Sequence, residues 1–277
     1  MSYVVSVMEK LVSRADIIKR EQDLSYLAWD ESACPSGLTG RCAKARAGRG
    51  HNAVYYKMAR SGGAGQGEAG LFSQLLCARL MDALGIEHAP FALVRAKVSS
   101  SHGAVWVCKS KTYRAAGQRA VTLPYYWELC SLPGESPLDM CVRLGWGHQV
   151  AQCMLADYLC AVRDRDETCF EVLEDDQGAL ILSPILPRAY SLACSFVKET
   201  WRYDAQADLG TINYLGSASL ESNLDFATSQ LGYISMPKGL KKTMFTGLDD
   251  VVPKAFADAC WHIVEKRWEH YESLCGL

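Results

Sequence analysis

The spacing of apolar residues changes along the chain, from short strand-like runs in the first half to helical faces in the second. Side chains alternate between two faces in a strand, whereas a helix repeats its apolar positions every three to four residues. This pattern predicts strands at residues 23–30, 41–46, 54–58, 91–98 and 104–108, and a hairpin at residues 170–173 and 179–182. It predicts helices at residues 2–21, 71–84, 125–132, 137–144, 149–162 and 253–274. Strands first and helices later indicate an α+β protein.

The helix predicted at residues 149–162 leads into the most informative stretch of the chain. Asp157 falls near its apolar face, where a carboxylate is costly unless it is hydrogen bonded. We therefore expect the loop backbone or Arg165 to donate hydrogen bonds to Asp157. The helix ends in the charged run Arg163-Asp164-Arg165-Asp166-Glu167, ahead of the predicted hairpin. Protein kinases present a catalytic base and then a metal ligand in this order of helix, acidic loop and hairpin.

Length, charge and cysteine use exclude several classes of protein. The chain has 277 residues, enough for one large domain or two lobes, and a net charge of −2, which favours neither nucleic acid nor membrane. The amino terminus lacks the pattern of a signal peptide, and no apolar run approaches membrane-spanning length. The 12 cysteines are scattered singly, with no C-x-x-C pair, so we expect reduced thiols in a cytoplasmic protein.

Two features of the first half are candidates for phosphate binding. The loop Ser36-Gly37-Leu38-Thr39-Gly40 can turn N–H groups and hydroxyls toward phosphate oxygens, although many glycine-rich turns bind nothing. Lys57 lies on a predicted strand after this loop, where a lone lysine is also common as a solvated side chain. Residues 41–60 carry six basic residues and no acidic one. Because no RNA-binding signature or aromatic interleaving accompanies this basic cluster, nucleic acid is not the expected partner.

Several short motifs resemble the HipA-like (CtkA-like) serine/threonine protein kinases. In that family a D-Y-L-I-x-N-R-D-R-H-x-x-N-x-E-V-L run precedes A-P-L-F-D-N-G-x-S-L. The residues here that match are Asp157-Tyr158-Leu159, Arg163-Asp164-Arg165, Glu171-Val172-Leu173, Pro184 and Ser191-Leu192, with a second similar segment at residues 78–88. The resemblance extends from about residue 24 to residue 268. It implies a two-lobed protein-kinase-like fold, with an N-lobe at residues 1–112 and a helical C-lobe at residues 113–277.

The resemblance also implies roles for individual residues. Asp164 falls on the family's catalytic base, and Arg165 matches its neighbour. Lys57 falls on the strand lysine that pairs with nucleotide phosphates. Ser36, Gly37, Thr39 and Gly40 fall on the family's phosphate loop, so ATP is the implied ligand.

The departures from the family include its metal site. The metal-binding Asn is replaced by Cys169 and the metal-binding Asp by Pro187, and neither supplies the hard oxygen ligand that Mg²⁺ requires. The glutamate that pairs with the strand lysine is replaced by Gln74, which could still hydrogen bond Lys57. We therefore expect no bound Mg²⁺ and no metal-binding residues.

Three functions stay open on this basis. The first is a catalytically impaired pseudokinase that acts by binding a protein partner. The second is an active ATP-dependent serine/threonine kinase with Asp164 as base and Asp166 or Glu167 as a displaced metal ligand. The third is an interaction module with no nucleotide role. We expect the first, because phosphoryl transfer depends mostly on positioning and on electrostatic stabilisation by the metal ions.

Overall fold

The computed structural model describes residues 16–30, 42–59, 66–101, 103–196 and 204–276. Its strands are β1 (Asp16–Asp23), β2 (Cys42–Ala47), β3 (Val54–Ala59), β4 (Ala92–Lys97), β5 (Ala104–Lys111), β6 (Arg119–Thr122), β7 (Asp164–Arg165), β8 (Glu171–Glu174), β9 (Leu180–Leu182) and β10 (Ile212–Asn213). Its α-helices are α1 (Gln66–Ala83), α2 (Leu123–Cys130), α3 (Pro137–Arg143), α4 (Gly147–Leu159), α5 (Leu220–Leu231), α6 (Leu240–Phe245) and α7 (Lys254–Leu274). A β-sheet region thus precedes a helical region, and the predicted α+β class is confirmed.

The amino-terminal region is built on a five-stranded sheet in the order β1-β4-β5-β3-β2. β1 and β4 are parallel, and the other pairs are antiparallel. One face of the sheet carries an apolar cluster that includes Tyr56 and Val107. Because side chains alternate along a strand, Lys57 points to the opposite face. There it lies in register with Lys44 on β2 and Cys108 on β5.

Helix α1 joins the sheet to the helical region. Residues 71–81 are all buried, as expected for a helix that is covered on every side. α1 contacts β3, β4 and β5 on one side and α6 on the other. Its apolar side chains belong to one cluster that continues to Tyr158 of α4 and Trp268 of α7. This shared core fixes the sheet against the helices and so holds the cleft between them.

The prediction of a helix at residues 2–21 is wrong over residues 16–21, the part of this range that the structure describes. Residues 16–21 belong to strand β1, and residues 1–15 lie outside the described residues. β1 pairs with β4 with Ile17 opposite Leu93, so a distant strand overrides the local helical pattern.

The strand predicted at residues 23–30 is a turn instead. Oδ1 of Asp23 accepts hydrogen bonds from the N–H and the hydroxyl of Ser25, at 2.9 and 2.6 Å. This turn ends β1 and brings Leu24 and Leu27 into the apolar cluster on the sheet.

The remaining predicted strands and helices are confirmed, with shifts of a few residues at their ends. Helix α1 begins at Gln66, ahead of the predicted start at residue 71. Strands β6, β7 and β10 were not predicted, because two to four residues are too few to show an alternating pattern. β7 and β10 pair with each other, and β6 joins β8 and β9 in a three-stranded sheet.

Two expectations about the whole chain can be compared with the described residues. All eleven cysteines among them are free, which agrees with the expected reduced thiols. In the same residues, no helix combines the length and the apolar composition that crossing a membrane requires.

Candidate functional site

The charged turn after α4 is anchored by a buried ion pair. Arg165 donates hydrogen bonds to both carboxylate oxygens of Asp157, from Nε at 2.9 Å and from Nη2 at 2.5 Å. Both side chains are 2% exposed. Burial alone would lower the pKa of Arg165, but the Asp157 carboxylate raises that pKa well above its ordinary value. The expected hydrogen bond from Arg165 to Asp157 is confirmed, and it places Arg165 inside the scaffold.

The chain reverses sharply between α4 and the turn. α4 ends at Leu159, and Ala161 adopts a left-handed backbone with φ of 51°, which costs roughly 1–2 kcal/mol for a residue with a side chain. Asp164 and Arg165 then form β7, parallel to Ile212 and Asn213 of β10. The Asp164 carboxylate is therefore presented from a short strand that is paired on one edge.

Asp164 is already engaged by a second arginine. Nη2 of Arg188 lies 2.6 Å from Oδ2 of Asp164, and the two side chains are 20% and 16% exposed. Burial, which alone would lower the pKa of Arg188, is outweighed by Cys169 and Asp164, so this pKa is raised. Among the described residues, Oδ1 of Asp164 and Nε of Arg188 are buried without a hydrogen-bond partner. The ion pair is incomplete.

Cys169 and Asp166 lie beside this pair and bond each other. The Cys169 thiol donates to Oδ1 of Asp166 at 3.5 Å and to the Asp164 carbonyl at 3.7 Å. The same Oδ1 accepts from the N–H and the hydroxyl of Thr168, at 3.0 and 2.5 Å. Asp166 is thus a cap for the short 3₁₀ helix Glu167–Cys169, and its Oδ1 already has three donors.

The loop before Arg188 is closed by hydrogen bonds from the scaffold. The Leu186 carbonyl accepts from Nη1 of Arg165, and the Pro187 carbonyl accepts from the Gln74 side chain, both at 2.7 Å. No hydrogen bond joins Gln74 to Lys57 in the part of the chain that the structure describes. Gln74 therefore holds the loop that contains Pro187.

These residues do not fit a magnesium site. Burial raises the pKa of the Cys169 thiol to about 11, and its soft sulfur is a poor ligand for Mg²⁺, which prefers hard oxygens. Pro187 has no side-chain oxygen, and Asp164 is held by a guanidinium group. Among the described residues, no group of three or more His, Cys, Asp and Glu side chains could hold a metal ion.

A cleft of about 340 Å³ lies between the sheet and the helical region. Its lining includes Lys44, Tyr55, Lys57, Lys111, Arg114, Glu171 and Leu186. Lys57 is half-buried, and no described carboxylate lies within ion-pair distance of it. The volume is within the range of small-molecule sites, and the basic lining favours an anionic ligand.

Among the described residues that line this cleft, Glu171 is the only one with a carboxylate, and it is already paired. Glu171 accepts hydrogen bonds from Nη2 of Arg114 at 2.6 and 2.8 Å and from the Tyr113 hydroxyl at 2.8 Å. Burial and the neighbouring Glu171 charge both raise the pKa of Tyr113. Because Arg114 neutralises Glu171, this carboxylate does not offset the charge of Lys57.

The predicted site residues fall into two connected groups. Lys57 lines the cleft, whereas Asp164 and Arg165 lie in β7. Leu186 links the two groups. It lines the cleft, and its carbonyl accepts a hydrogen bond from Arg165. Ser36, Gly37, Thr39 and Gly40 lie outside the described residues.

Sequence reasoning missed Arg188, the most closely engaged partner of Asp164. The available signal was an arginine at the position of the Asn in the family's F-D-N-G, directly after the proline. The pairing of Glu171 with Tyr113 and Arg114 carried no sequence signal, because it depends on how the chain leaves β5.

Comparisons with known proteins support the fold. No protein-family model and no curated protein matches this sequence. The crystal structure of a Helicobacter pylori proinflammatory kinase, CtkA, is similar over 88% of this chain and 93% of that chain, with a TM-score of 0.57 and 10% sequence identity. The chain therefore has a kinase-like fold. At this identity the likeness carries the fold and no activity.

Proposed function

We propose that this kinase-fold chain is catalytically impaired, binds a nucleotide in its cleft without a divalent metal, and acts by binding a protein partner. The segment Leu186-Pro187-Arg188 carries this proposal, since it puts a proline and a cation where a kinase needs a metal ligand. Metal ions supply much of the electrostatic stabilisation in phosphoryl transfer. Each tenfold loss of rate corresponds to about 1.4 kcal/mol of barrier, so losing the metal shell removes most of the acceleration.

Lys57 is the residue we expect to bind phosphate. It faces a cleft lined by further basic residues, and the nearby Glu171 is neutralised by Arg114. Lysine binds phosphate as a point charge and needs no metal to do so. Nucleotide binding in this cleft should therefore be weak and indifferent to Mg²⁺.

No structural observation favours the active-kinase alternative. Asp166, one of its two candidate metal ligands, is 5% exposed and caps the helix Glu167–Cys169. Glu167, the other candidate, is exposed to solvent. A ligand-free interaction module is the remaining alternative, and the same experiment separates all three.

The experiment is a melting titration with ATP, with and without EDTA, on the native chain and on Lys57→Ala. A ligand at 100 times its dissociation constant stabilises a fold by about 2.7 kcal/mol, which raises the melting temperature by several degrees. We expect a shift that survives EDTA and disappears in Lys57→Ala. The matched control is Lys109→Ala, on the adjacent strand β5 and in register with Tyr56 on the opposite face, which should keep the shift.

Two results would contradict the proposal. A shift that requires Mg²⁺, together with transfer of phosphate that is lost in Asp164→Asn, would establish an active kinase. The absence of any shift at millimolar ATP would leave an interaction module.

A further inference from the structure

We infer that Arg188 takes the electrostatic place of the missing metal, as the resident counter-ion of Asp164 that keeps divalent cations out of this site. The inference deepens the proposed function and rests on it for the identity of the site. It assigns Arg188 as the specificity-determining residue for metal independence. The other replaced positions, Cys169 and Pro187, remove ligands, whereas Arg188 adds a charge that opposes a metal.

The charge of Arg188 acts on three ionisable side chains of the turn, those of Asp164, Asp166 and Cys169. It lies 2.6 Å from Asp164. It also lowers the pKa of Asp166, and it opposes the increase in the pKa of Cys169 that burial causes. A divalent cation placed among these groups would meet a guanidinium that is already there.

The backbone holds Arg188 firmly in this position. The carbonyl oxygens of three consecutive residues, 186 to 188, each accept a side-chain hydrogen bond at 2.7 Å. The donors are Arg165, Gln74 and Ser191, all of them buried. These bonds fix the backbone from which the Arg188 side chain reaches Asp164.

The hydrogen bonding of the Asp164–Arg188 pair is incomplete. This indicates that a contribution to stability is not the whole explanation of the pair. Asp164 Oδ1 and Arg188 Nε have no hydrogen-bond partner among the described residues, although both atoms are buried. Buried polar atoms of this kind usually have partners, and exceptions call for another explanation. To act as a counter-ion, Arg188 must place its charge close to Asp164, but it does not have to complete every hydrogen bond.

The test measures Mn²⁺ binding without nucleotide, by the paramagnetic resonance of free Mn²⁺. Pro187→Asp supplies a carboxylate at the replaced metal position, and Pro187→Asp/Arg188→Gln also removes the cation. A unit positive charge a few ångströms from a bound cation at a protein surface weakens the binding of that cation by far more than tenfold. We therefore expect the double variant to bind Mn²⁺ at least about tenfold more tightly than Pro187→Asp.

The matched control is Pro187→Asp/Arg143→Gln. It removes an arginine that also lies 2.6 Å from a carboxylate, that of Glu135, outside this site. The control should bind Mn²⁺ no better than Pro187→Asp does. Equal Mn²⁺ binding by Pro187→Asp and by Pro187→Asp/Arg188→Gln, whether both bind or both fail while folded, would overturn the inference.

If removal of Arg188 prevents folding, neutralising its partner decides the question. Arg188→Gln/Asp164→Asn should then recover the fold, because no carboxylate is left without its counter-ion, and failure to recover would overturn the inference.

The measurement of Mn²⁺ binding is independent of ATP. A native chain that ignores ATP while the Arg188 variant gains Mn²⁺ would refute the proposed nucleotide site and leave the role of Arg188 standing.

Discussion

Two arginine–carboxylate pairs lie side by side in this protein and are built differently. Asp157 and Arg165 share two hydrogen bonds, and both side chains are 2% exposed. Asp164 and Arg188 share one hydrogen bond, and each is several-fold more exposed. The first pair uses residues that match the kinase motif, and the second uses an arginine that departs from it. The first pair is therefore a fully bonded, buried anchor of the turn after α4, whereas the second leaves buried polar atoms without a partner among the described residues.

The two pairs differ in how completely their donors and acceptors are hydrogen bonded, and we expect this difference to affect their contributions to stability. Taking two charges out of water is expensive, and it is offset only when the geometry is good and the remaining donors are bonded. Arg165 meets this condition, because its Nη1 also donates to the Leu186 carbonyl. The Asp164–Arg188 pair does not meet it, so its contribution to stability should be smaller. Removing each partner in turn can break or sharpen this contrast.

The largest effect is expected from Asp157→Ala. It leaves the Arg165 charge buried and unpaired, which typically costs about 3–5 kcal/mol. Urea unfolding at pH 7 measures the loss. Lys266→Ala serves as the control, because its pair with Glu269 is largely exposed and such pairs contribute about 0–1 kcal/mol. A loss below about 1 kcal/mol for Asp157→Ala would show that Arg165 finds other partners and that the buried pair is not the anchor.

Asp164→Asn should have a smaller effect, about 1 kcal/mol or less. The amide still offers an oxygen to Arg188, and water can reach a guanidinium that is 20% exposed. The same urea experiment provides the comparison. A loss as large as that of Asp157→Ala would mean that both pairs belong to the scaffold, and the contrast between them would disappear.

The sequence predicted the first pair and could not predict the second. A carboxylate on an apolar helix face demands a donor, and Arg165 is only eight residues away. Arg188 is 24 residues from Asp164, and the path between them passes through a hairpin and a loop. Which arginine reaches a carboxylate across such a path depends on tertiary contacts, here the hydrogen bond of Gln74 to Pro187.

The same limit explains the errors in the fold. Periodicity identified α1 and the central strands, because their apolar positions are set by burial along a single element. It failed at β1, whose backbone pairs with β4, a strand distant in the sequence. Residues 23–30 have apolar side chains in alternation, yet the bonds of Asp23 to Ser25 turn the chain.

A thiol lies beside each of the two pairs, and we expect the two thiols to ionise at different pH. Cys153 donates to Asp157 at 3.8 Å, and Cys169 donates to Asp166 at 3.5 Å. Burial raises the pKa of both thiols, and for Cys169 it raises the pKa from 9.0 to about 11. Arg188 and Arg165 both oppose this increase at Cys169, whereas Arg165 opposes it at Cys153, so the Cys169 thiol should ionise at a lower pH than Cys153.

The smallest predicted effect is therefore a difference in alkylation rate, measured by iodoacetamide labelling and peptide mass spectrometry. At pH 8 the exposed Cys130 should react first, and Cys153 and Cys169 should be protected. Labelling of Cys169 should rise as the pH approaches 11, and it should be several-fold slower in Arg188→Gln, because loss of a positive charge raises the pKa of the thiol further. Since the folded pKa of Cys169 exceeds its ordinary value of 9.0, its contribution to stability is complete below pH 9 and is lost as the pH rises to about 11. Rapid labelling of Cys169 at pH 8 would identify it as an activated thiol and would contradict the raised pKa.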